Sequence, residues 1–292
     1  MRKQFNNTVM NLAAEDSSIV LIFGDVSVYL FNEFRSLYPE RFFNMGICEN
    51  SLVSAAAGLS SAGLTPFVHT IAPFITERSF EQIKLDLCYN RFGANILTCG
   101  ASFDYAWDGA THHCYSDLAI LRLLPHMEVI QPGSRKELDL LLRSRYRNDS
   151  VTYFRLSDHP HDIDLPVEYG KGVILKDEGS STTVMTAGPL LGNVLEGVRD
   201  LKVNLVYFHT IKPIDTEIIN RFKDTEIIVI HDAFGLHEAI CETPNLRTTY
   251  YGLEDRFCSC YGTLHDIRTQ IGLHPAGIRG FVQDKTERAG RQ

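Results

Sequence analysis

Short apolar runs alternate with stretches of helical periodicity along the chain, and the first block of this pattern covers residues 18 to about 157. Its apolar runs predict strands at 19–23, 67–71, 95–99 and 151–156, with a further run at 129–131. Strands that alternate with helices are typical of a largely parallel sheet covered by helices. The first block is therefore predicted to be an α/β domain.

The helices predicted for this block have recognisable ends. Small apolar residues follow Gly46 and predict a tightly packed helix that ends near Gly63. A second helix is predicted within 77–90, where apolar residues recur at helical spacing. Ser134 and Glu137 have the spacing of a capping box and predict the start of a third helix.

A polar segment rich in Asp, His and Pro, SDHPHDIDLPVEYGKG, separates the first block from a second one. There, apolar runs predict strands at 183–186, 203–208 and 227–230, and helices near 191–198 and 215–222. We therefore predict an α/β fold of two consecutive three-layer α/β/α domains with mostly parallel sheets. The predicted division is a first domain at 1–160, a linker at 161–172, a second domain at 173–284 and a polar tail at 285–292.

Composition places the chain among ordinary globular proteins and removes several functional classes. Of its 292 residues, 44% are hydrophobic and 22% are charged, which argues against a disordered or fibrous chain. The formal net charge is -8, so the sequence does not predict a basic surface that would neutralise nucleic-acid or lipid phosphates. The N-terminal residues contain no long apolar run, and the seven cysteines show no CxxC spacing. We expect a cytoplasmic protein with reduced thiols and with no nucleic-acid or membrane partner.

Glu49 is the first candidate for chemistry. It stands at the start of the Ala-rich helix in NMGICENSLVSAAAGLSSAG, where a carboxylate also interacts favourably with the helix dipole. Its apolar neighbours Met45, Ile47 and Cys48 predict that it enters the protein interior. A buried carboxyl group tends to keep its proton at neutral pH, so this residue is expected to be either paired or functional.

The segment WDGATHHCYSD, residues 107–117, is the second candidate. Gly109 permits a tight turn, while Asp108, His112 and His113 bring acid–base and hydrogen-bonding groups close together. Adjacent histidines point in different directions, so we expect no metal site here.

Two further features are open to structural and functional interpretations. Phe74 and Phe80 flank a charged pair, and core packing is the default role of each ring. That charged pair is Glu77 and Arg78. Arg155 follows the strand VTYF, and a cation at the carboxyl end of a strand lies where α/β folds usually bind ligands. It is equally suited to a surface ion pair.

Taken in order, these segments resemble the C-terminal half of transketolase, its pyrimidine-binding domain followed by its C-terminal domain. The resemblance begins at GDVS near residue 24 and continues through RFFNMGICEN, APFITERSFEQ, DGATHH and PHMEVIQPGS to the arginine after VTYF. In the second block it includes FHTIKPID and VIHDAFGLHEAI, so it covers nearly the whole chain. The DGxTHx element combined with the upstream glutamate is the specific part.

The resemblance implies roles for residues that would meet a cofactor. Glu49 matches the catalytic glutamate that hydrogen-bonds N1′ of the aminopyrimidine ring of thiamine diphosphate. Phe74 matches the aromatic residue that stacks on this ring, and Phe80 takes the place of a second aromatic residue. Glu77 stands in the same cofactor-binding wall, at a position where transketolases have an aromatic residue.

The resemblance also implies a substrate site. His112 and Asp108 match residues that hydrogen-bond the hydroxyls of a donor sugar, and His112 also assists proton transfer as a catalytic residue. Arg155 matches the arginine that holds a sugar phosphate. One position departs from the family pattern: Gly100 lies twelve residues before His112, where transketolases with phosphorylated acceptors have a phosphate-binding histidine. We therefore expect an acceptor sugar that lacks this phosphate.

The resemblance further implies that a partner is needed. A diphosphate-binding domain is normally marked by Gly-Asp-Gly and a later asparagine that supply metal ligands, and Gly-Asp-Gly does not occur in this sequence. We expect a second subunit of similar length to hold the diphosphate and Mg²⁺ or Ca²⁺. An α2β2 assembly is expected, which includes self-association of this chain.

Three functions remain open from the sequence. The first is the pyrimidine-binding subunit of a split transketolase, which moves a two-carbon ketol unit from a ketose or its phosphate to an aldose. The second is the β subunit of a 2-oxo-acid dehydrogenase or decarboxylase, or a deoxyxylulose-phosphate-synthase-like enzyme. Deoxyxylulose-phosphate synthases carry an RAYDQ-like segment, and RSFEQ in this chain resembles it. The third is a non-catalytic scaffold subunit.

Overall fold

The strands form two sheets in the computed structural model, which describes residues 1–147 and 149–289. The first sheet has seven strands: β1 (Ile19–Phe23), β2 (Phe42–Asn44), β3 (Thr65–Ile71), β4 (Ala94–Cys99), β5 (Met127–Ile130), β6 (Val151–Arg155) and β10 (Thr210–Lys212). The second has five: β7 (Val173–Lys176), β8 (Thr182–Ala187), β9 (Asn204–Phe208), β11 (Glu226–Ile230) and β12 (Arg247–Tyr251).

Both sheets are mostly parallel, which confirms the predicted fold class. The spatial order is β10-β5-β6-β4-β3-β1-β2 in the first sheet and β12-β11-β8-β9-β7 in the second. Only the edge pairs β10–β5 and β7–β9 are antiparallel among the described strands. The carboxyl ends of the parallel strands of each sheet therefore lie at one edge, where α/β folds place their ligands.

Helices connect the strands. Their bounds are α1 (Arg2–Glu15), α2 (Asn32–Leu37), α3 (Glu49–Ser61), α4 (Ala72–Thr76), α5 (Phe80–Gln82, continued by a π-helical segment Ile83–Tyr89), α6 (Asp117–Arg122), α7 (Arg135–Arg145), α8 (Leu191–Gly197), α9 (Thr216–Arg221), α10 (Leu236–Cys241), α11 (Leu264–Gln270) and α12 (Pro275–Ala289). None of the helices in the described ranges combines the length and apolarity needed to cross a bilayer.

Packing on both faces explains why the strands are continuously apolar. In β1, Ile19, Leu21 and Phe23 belong to one hydrophobic cluster, whereas Val20 and Ile22 belong to another on the opposite face. A strand covered on both faces has no solvent-facing positions, so its sequence lacks the alternation of a half-exposed strand.

The short strand β10 joins the two blocks. It comes from the second block but pairs antiparallel with β5 of the first sheet, with Thr210 opposite Ile130. A backbone hydrogen bond from the Gln131 N–H to the His209 carbonyl, at 2.9 Å, extends this connection. One hydrophobic cluster also includes residues of both blocks, such as Val129 and Phe208. The blocks therefore share a sheet edge and part of a core, which the sequence did not predict.

Two local predictions need correction. Ser134 caps α7 by accepting the Glu137 backbone N–H at 3.2 Å, but the Glu137 carboxylate accepts from the Gly133 N–H instead of closing a capping box. The same carboxylate oxygen accepts the Tyr207 hydroxyl at 2.6 Å, so it contacts the second block. Most of the predicted polar tail belongs to α12, in which Gln283 and Glu287 interact one turn apart; residues 290–292 lie outside the described residues.

Candidate active site

Glu49 is the first residue of α3 and is buried, with 1% of its surface exposed. Gly46, at φ +77°, makes the turn that leads from β2 into this helix. The Arg78 guanidinium donates to Glu49 Oε2 at 2.8 Å, and among the described residues this is the hydrogen bond that the carboxylate accepts. One carboxylate oxygen is therefore held in place while the other, Oε1, is available to a ligand.

Arg78 connects Glu49 to an aromatic wall. Its guanidinium carbon lies 4.9 Å from the centre of the Phe74 ring, a cation–π contact. Phe74 belongs to α4, directly after β3, and its ring centre lies 5.1 Å from that of His112 in an edge-on arrangement. The structure thus brings Glu49, Phe74 and His112 together in one series of contacts, and the roles that the resemblance implies for them remain predictions. Arg78 was not assigned a role, although its place in RSFEQ was a usable signal.

The turn at residues 106–111 presents Asp108 and His112. Gly109 has φ 70° and ψ −160°, a conformation that is essentially restricted to glycine, and it kinks the chain between the two side chains. Thr111 Oγ1 lies 2.9 Å from His112 Nδ1, which fixes that face of the ring and leaves Nε2 as its other polar atom. Asp108 is exposed beside the turn. Asp108 is therefore accessible to solvent, and His112 is half-buried beside it.

The neighbouring His113 lies in a different environment. It is 4% exposed and packs with its ring centre 4.9 Å from that of Phe103, so the two histidines face different neighbours. Burial lowers the pKa of His113, which favours a neutral ring. Within the described residues, no group of three or more His, Cys, Asp or Glu side chains is placed to hold a metal ion.

Glu77 and Phe80 lie beside this wall without joining it. Phe80 is half-buried and packs against the main hydrophobic cluster. Glu77 is exposed and accepts the Ser116 hydroxyl at 2.6 Å. Among the described hydrogen bonds, ion pairs and ring contacts, neither side chain is paired with Glu49, Phe74 or His112. Their expected place in the cofactor-binding wall remains a prediction.

Arg155 is placed differently from its expected role as a phosphate-binding residue. It is 1% exposed, and its three nitrogens donate to Asp117 Oδ2 at 2.7 Å, Ser102 Oγ at 2.9 Å and the Cys114 carbonyl at 2.6 Å. Burial alone would lower the pKa of Arg155, but the adjacent Asp117 outweighs it and raises the pKa. Each guanidinium nitrogen already donates to a protein acceptor and the side chain is buried, so this geometry argues against direct contact with a sugar phosphate.

Gly100 lies at a position with no room for a side chain. Its φ is +79°, and a side chain there would place Cβ 2.7 Å from Cε2 of Tyr105. The Tyr105 hydroxyl donates to Cys99 Sγ at 3.3 Å, which keeps the ring across this position. The space that a histidine at residue 100 would need is therefore occupied by Tyr105.

The two α/β blocks place a buried glutamate and an aromatic ring at strand ends, the position where proteins of this fold class usually bind a ligand. Residues 1–159 match the family model for the transketolase pyrimidine-binding domain, and the chain belongs to the transketolase family.

Relatives of nearly the same length support this assignment. A protein of Methanocaldococcus jannaschii described as "Putative transketolase C-terminal section" is 30% identical over 307 residues, covering 99% of this chain and 96% of the relative. An apulose-4-phosphate transketolase subunit of Phocaeicola vulgatus is 29% identical over 298 residues, covering 95% and 94%. A solved structure described as "Split gene transketolase, inactive beta4 tetramer" has a TM-score of 0.86, 27% identity and 97% coverage of both chains.

Membership of this family implies dependence on thiamine diphosphate. The residues present fit the aminopyrimidine part of that cofactor. Glu49 offers a free carboxylate oxygen in a buried setting, and Phe74 offers a half-buried aromatic surface beside it. A hydrogen-bonding group next to an aromatic face suits a flat, nitrogen-containing ring.

Proposed function

We propose that this chain is the pyrimidine-binding subunit of a split transketolase, which transfers a two-carbon ketol unit from a ketose or ketose phosphate to an aldose. The observation that carries this proposal is the contact series Glu49–Arg78–Phe74–His112 within the matched domain. It joins a buried carboxylate, an aromatic face and an acid–base group in one wall.

Each residue of the wall has a separate task in this proposal. Glu49 hydrogen-bonds a ring nitrogen of the cofactor, and Arg78 holds the Glu49 carboxylate in position. Phe74 packs against the ring. Bound thiamine diphosphate supplies the reactive carbon that carries the ketol unit. His112 and Asp108 hydrogen-bond the hydroxyl groups of the sugar, and His112 Nε2 gives or accepts a proton at these oxygens.

A partner completes the site in this proposal. The sequence contains no Gly-Asp-Gly, and two similar proteins are described as a transketolase subunit and as a split-gene transketolase. We infer that a diphosphate-domain subunit holds the diphosphate and Mg²⁺ or Ca²⁺, in an α2β2 assembly. Affinity purification of the full chain from its source cells should recover a second chain of similar length. Ketol transfer by this chain with only thiamine diphosphate and Mg²⁺ added would contradict the proposal.

The acceptor is proposed to lack the phosphate that many transketolase acceptors have. Two features support this: Tyr105 fills the space beside Gly100, and Arg155 is engaged by Asp117, Ser102 and the Cys114 carbonyl. The reconstituted complex should therefore show a higher kcat/KM for an aldose than for its terminal phosphate ester. Equal values, or a preference for the phosphate, would reject this part of the proposal.

A deoxyxylulose-phosphate-synthase-like or 2-oxo-acid-decarboxylating reaction is the second candidate. It is favoured by the segment RSFEQ, whose Arg78 contacts Glu49. Release of CO₂ from pyruvate by the complex, without ketol transfer between sugars, would select it. A non-catalytic scaffold is the third candidate, and retained activity of a Glu49→Gln complex would favour that role.

A further inference from the structure

Two cysteine thiols face each other in the loop between β12 and α11. The Sγ atoms of Cys258 and Cys260 are 3.1 Å apart, within hydrogen-bonding distance for sulfur, and only Ser259 separates them in sequence. Both are free thiols and both are half-buried, so neither is sealed in the core. Burial raises the pKa of the Cys260 thiol to about 11, as does its contact with Cys258.

These thiols pack against a hydrophobic cluster that spans the two blocks. Phe103 and Ala106 of the first block contact Leu264 and Ile267 of α11, and both cysteines lie against this cluster. Ala106 begins the turn that presents Asp108 and His112. A cavity of about 90 Å³ lies beside Cys258 and is bounded by Phe103, Tyr115, Leu253 and Phe257. The loop therefore has space to rearrange next to the turn.

Tyr261 makes the direct connection between the thiol loop and the turn. It follows Cys260 in sequence, and its ring lies against Gly109. A Cβ atom at residue 109 would lie 2.5 Å from Tyr261 Cε1, so this contact requires glycine at that position. Gly109 is the residue that kinks the chain between Asp108 and His112. A displacement of Tyr261 would therefore act on the backbone that carries these two groups.

We propose that Cys258 and Cys260 form a reversible dithiol–disulfide modification site whose oxidation repositions Tyr261 on the Gly109 turn. The oxidant is a small-molecule disulfide of the glutathione class. Because the raised pKa of Cys260 keeps that thiol protonated, the Cys258 thiolate attacks a sulfur of the small disulfide and releases one small thiol. The second cysteine then attacks the mixed disulfide, the protein S–S bond forms, and the second small thiol leaves. Two electrons and two protons pass from the protein to the two released thiols.

The two sulfurs are close enough to bond, and the bond would stay open to reduction. They lie 3.1 Å apart, against about 2.05 Å in a disulfide, so they must approach by about 1 Å. Neither cysteine is sealed in the core, and accessible disulfides are the labile ones suited to regulation.

The test uses the purified full chain equilibrated at a series of ratios of oxidised to reduced glutathione. After alkylation and trypsin digestion, the peptide spanning residues 257–268 contains these two cysteines and no others. We expect it to lose the mass of two hydrogen atoms and to become resistant to alkylation as the ratio rises. Cys241, which is exposed, serves as the internal control and should form only mixed adducts.

The chain also reports on the turn itself. Trp107 is the only tryptophan, and it is 70% exposed beside Asp108. Its fluorescence should change with the same midpoint ratio as disulfide formation. Cys258→Ser and Cys260→Ser should abolish the change, and Tyr261→Ala should still form the disulfide while leaving the Trp107 emission constant.

Three results would overturn the proposal. They are mixed adducts on residues 257–268 without ring closure, a Trp107 response that persists in the serine variants, and a response that persists in Tyr261→Ala. Neither measurement needs a partner subunit or cofactor, so both stand independently of the proposed function.

Discussion

Replacing Arg155 with methionine tests whether this arginine acts in folding or in substrate binding. The change removes the charge but keeps an apolar chain of similar length at the end of β6. Asp117 then remains buried, at 0% exposure, without its charged partner. Ser102 and the Cys114 carbonyl also lose a donor.

The expected loss of stability follows from these contacts. Removing one member of a buried ion pair typically costs about 3–5 kcal/mol, because the remaining charge stays desolvated. Asp117 keeps the Tyr153 hydroxyl as a donor at 2.6 Å, which favours the lower end of that range. We therefore expect Arg155→Met to lower the free energy of unfolding by about 3–4 kcal/mol. The double variant Asp117→Leu/Arg155→Met should be more stable than Arg155→Met, because it removes the unpaired charge as well.

Urea denaturation followed by circular dichroism measures both variants against the parent chain. A loss below about 1 kcal/mol for Arg155→Met would refute the structural role, since that is the size of an exposed ion pair. Equal stability of the single and double variants would show that Asp117 is not the group that Arg155 neutralises.

Three further predictions concern the site and its surroundings. Glu49→Gln should abolish ketol transfer by the complex while leaving the circular dichroism of the chain unchanged, since only one charged hydrogen bond to Arg78 is lost; normal activity would contradict this role. Gly100→Ala should destabilise the chain by about 1–3 kcal/mol, because alanine is strained at a φ of +79° and its Cβ would clash with Tyr105. An unchanged free energy of unfolding in urea would argue against this. Burial raises the pKa of Asp104 from 3.8 to about 7, although the hydrogen bonds from the Ser157 hydroxyl and the Asp158 N–H act to lower it. The folded state therefore holds this proton more tightly, and its stabilising effect is lost as pH rises from about 4 to about 7. Asp104→Asn should gain stability relative to the parent over this range, by at most roughly 4 kcal/mol at about 1.4 kcal/mol per pKa unit; parallel pH profiles would contradict it.

The central strands could be predicted from sequence because they are apolar on both faces. β4 and β11 lie within the interior of their sheets, so all their positions except Glu226 are buried and the apolar run stands out. β10 has three residues and pairs with a strand of the other block. Its formation depends on how the blocks pack, which is a tertiary property that local periodicity does not encode.

The candidate site was partly predictable for a similar reason. Glu49 and His112 lie in short motifs with a distinctive composition, and the fold brings both to the Phe74 wall. The environment of Arg155 depends on Asp117, which is distant in sequence and reaches the arginine from α6. A cation at a strand end has the same local pattern whether it meets a ligand or a buried carboxylate.

Ketol transfer by the reconstituted complex tests the central claim most directly. The chain is combined with its co-purified partner, thiamine diphosphate and Mg²⁺, and transfer from a ketose donor to an aldose acceptor is followed. We predict activity for the complex, none for either subunit alone, and none for the complex that contains Glu49→Gln. Activity of the isolated chain, or full activity of the Glu49→Gln complex, would contradict the assignment of this chain as the subunit that holds the pyrimidine ring.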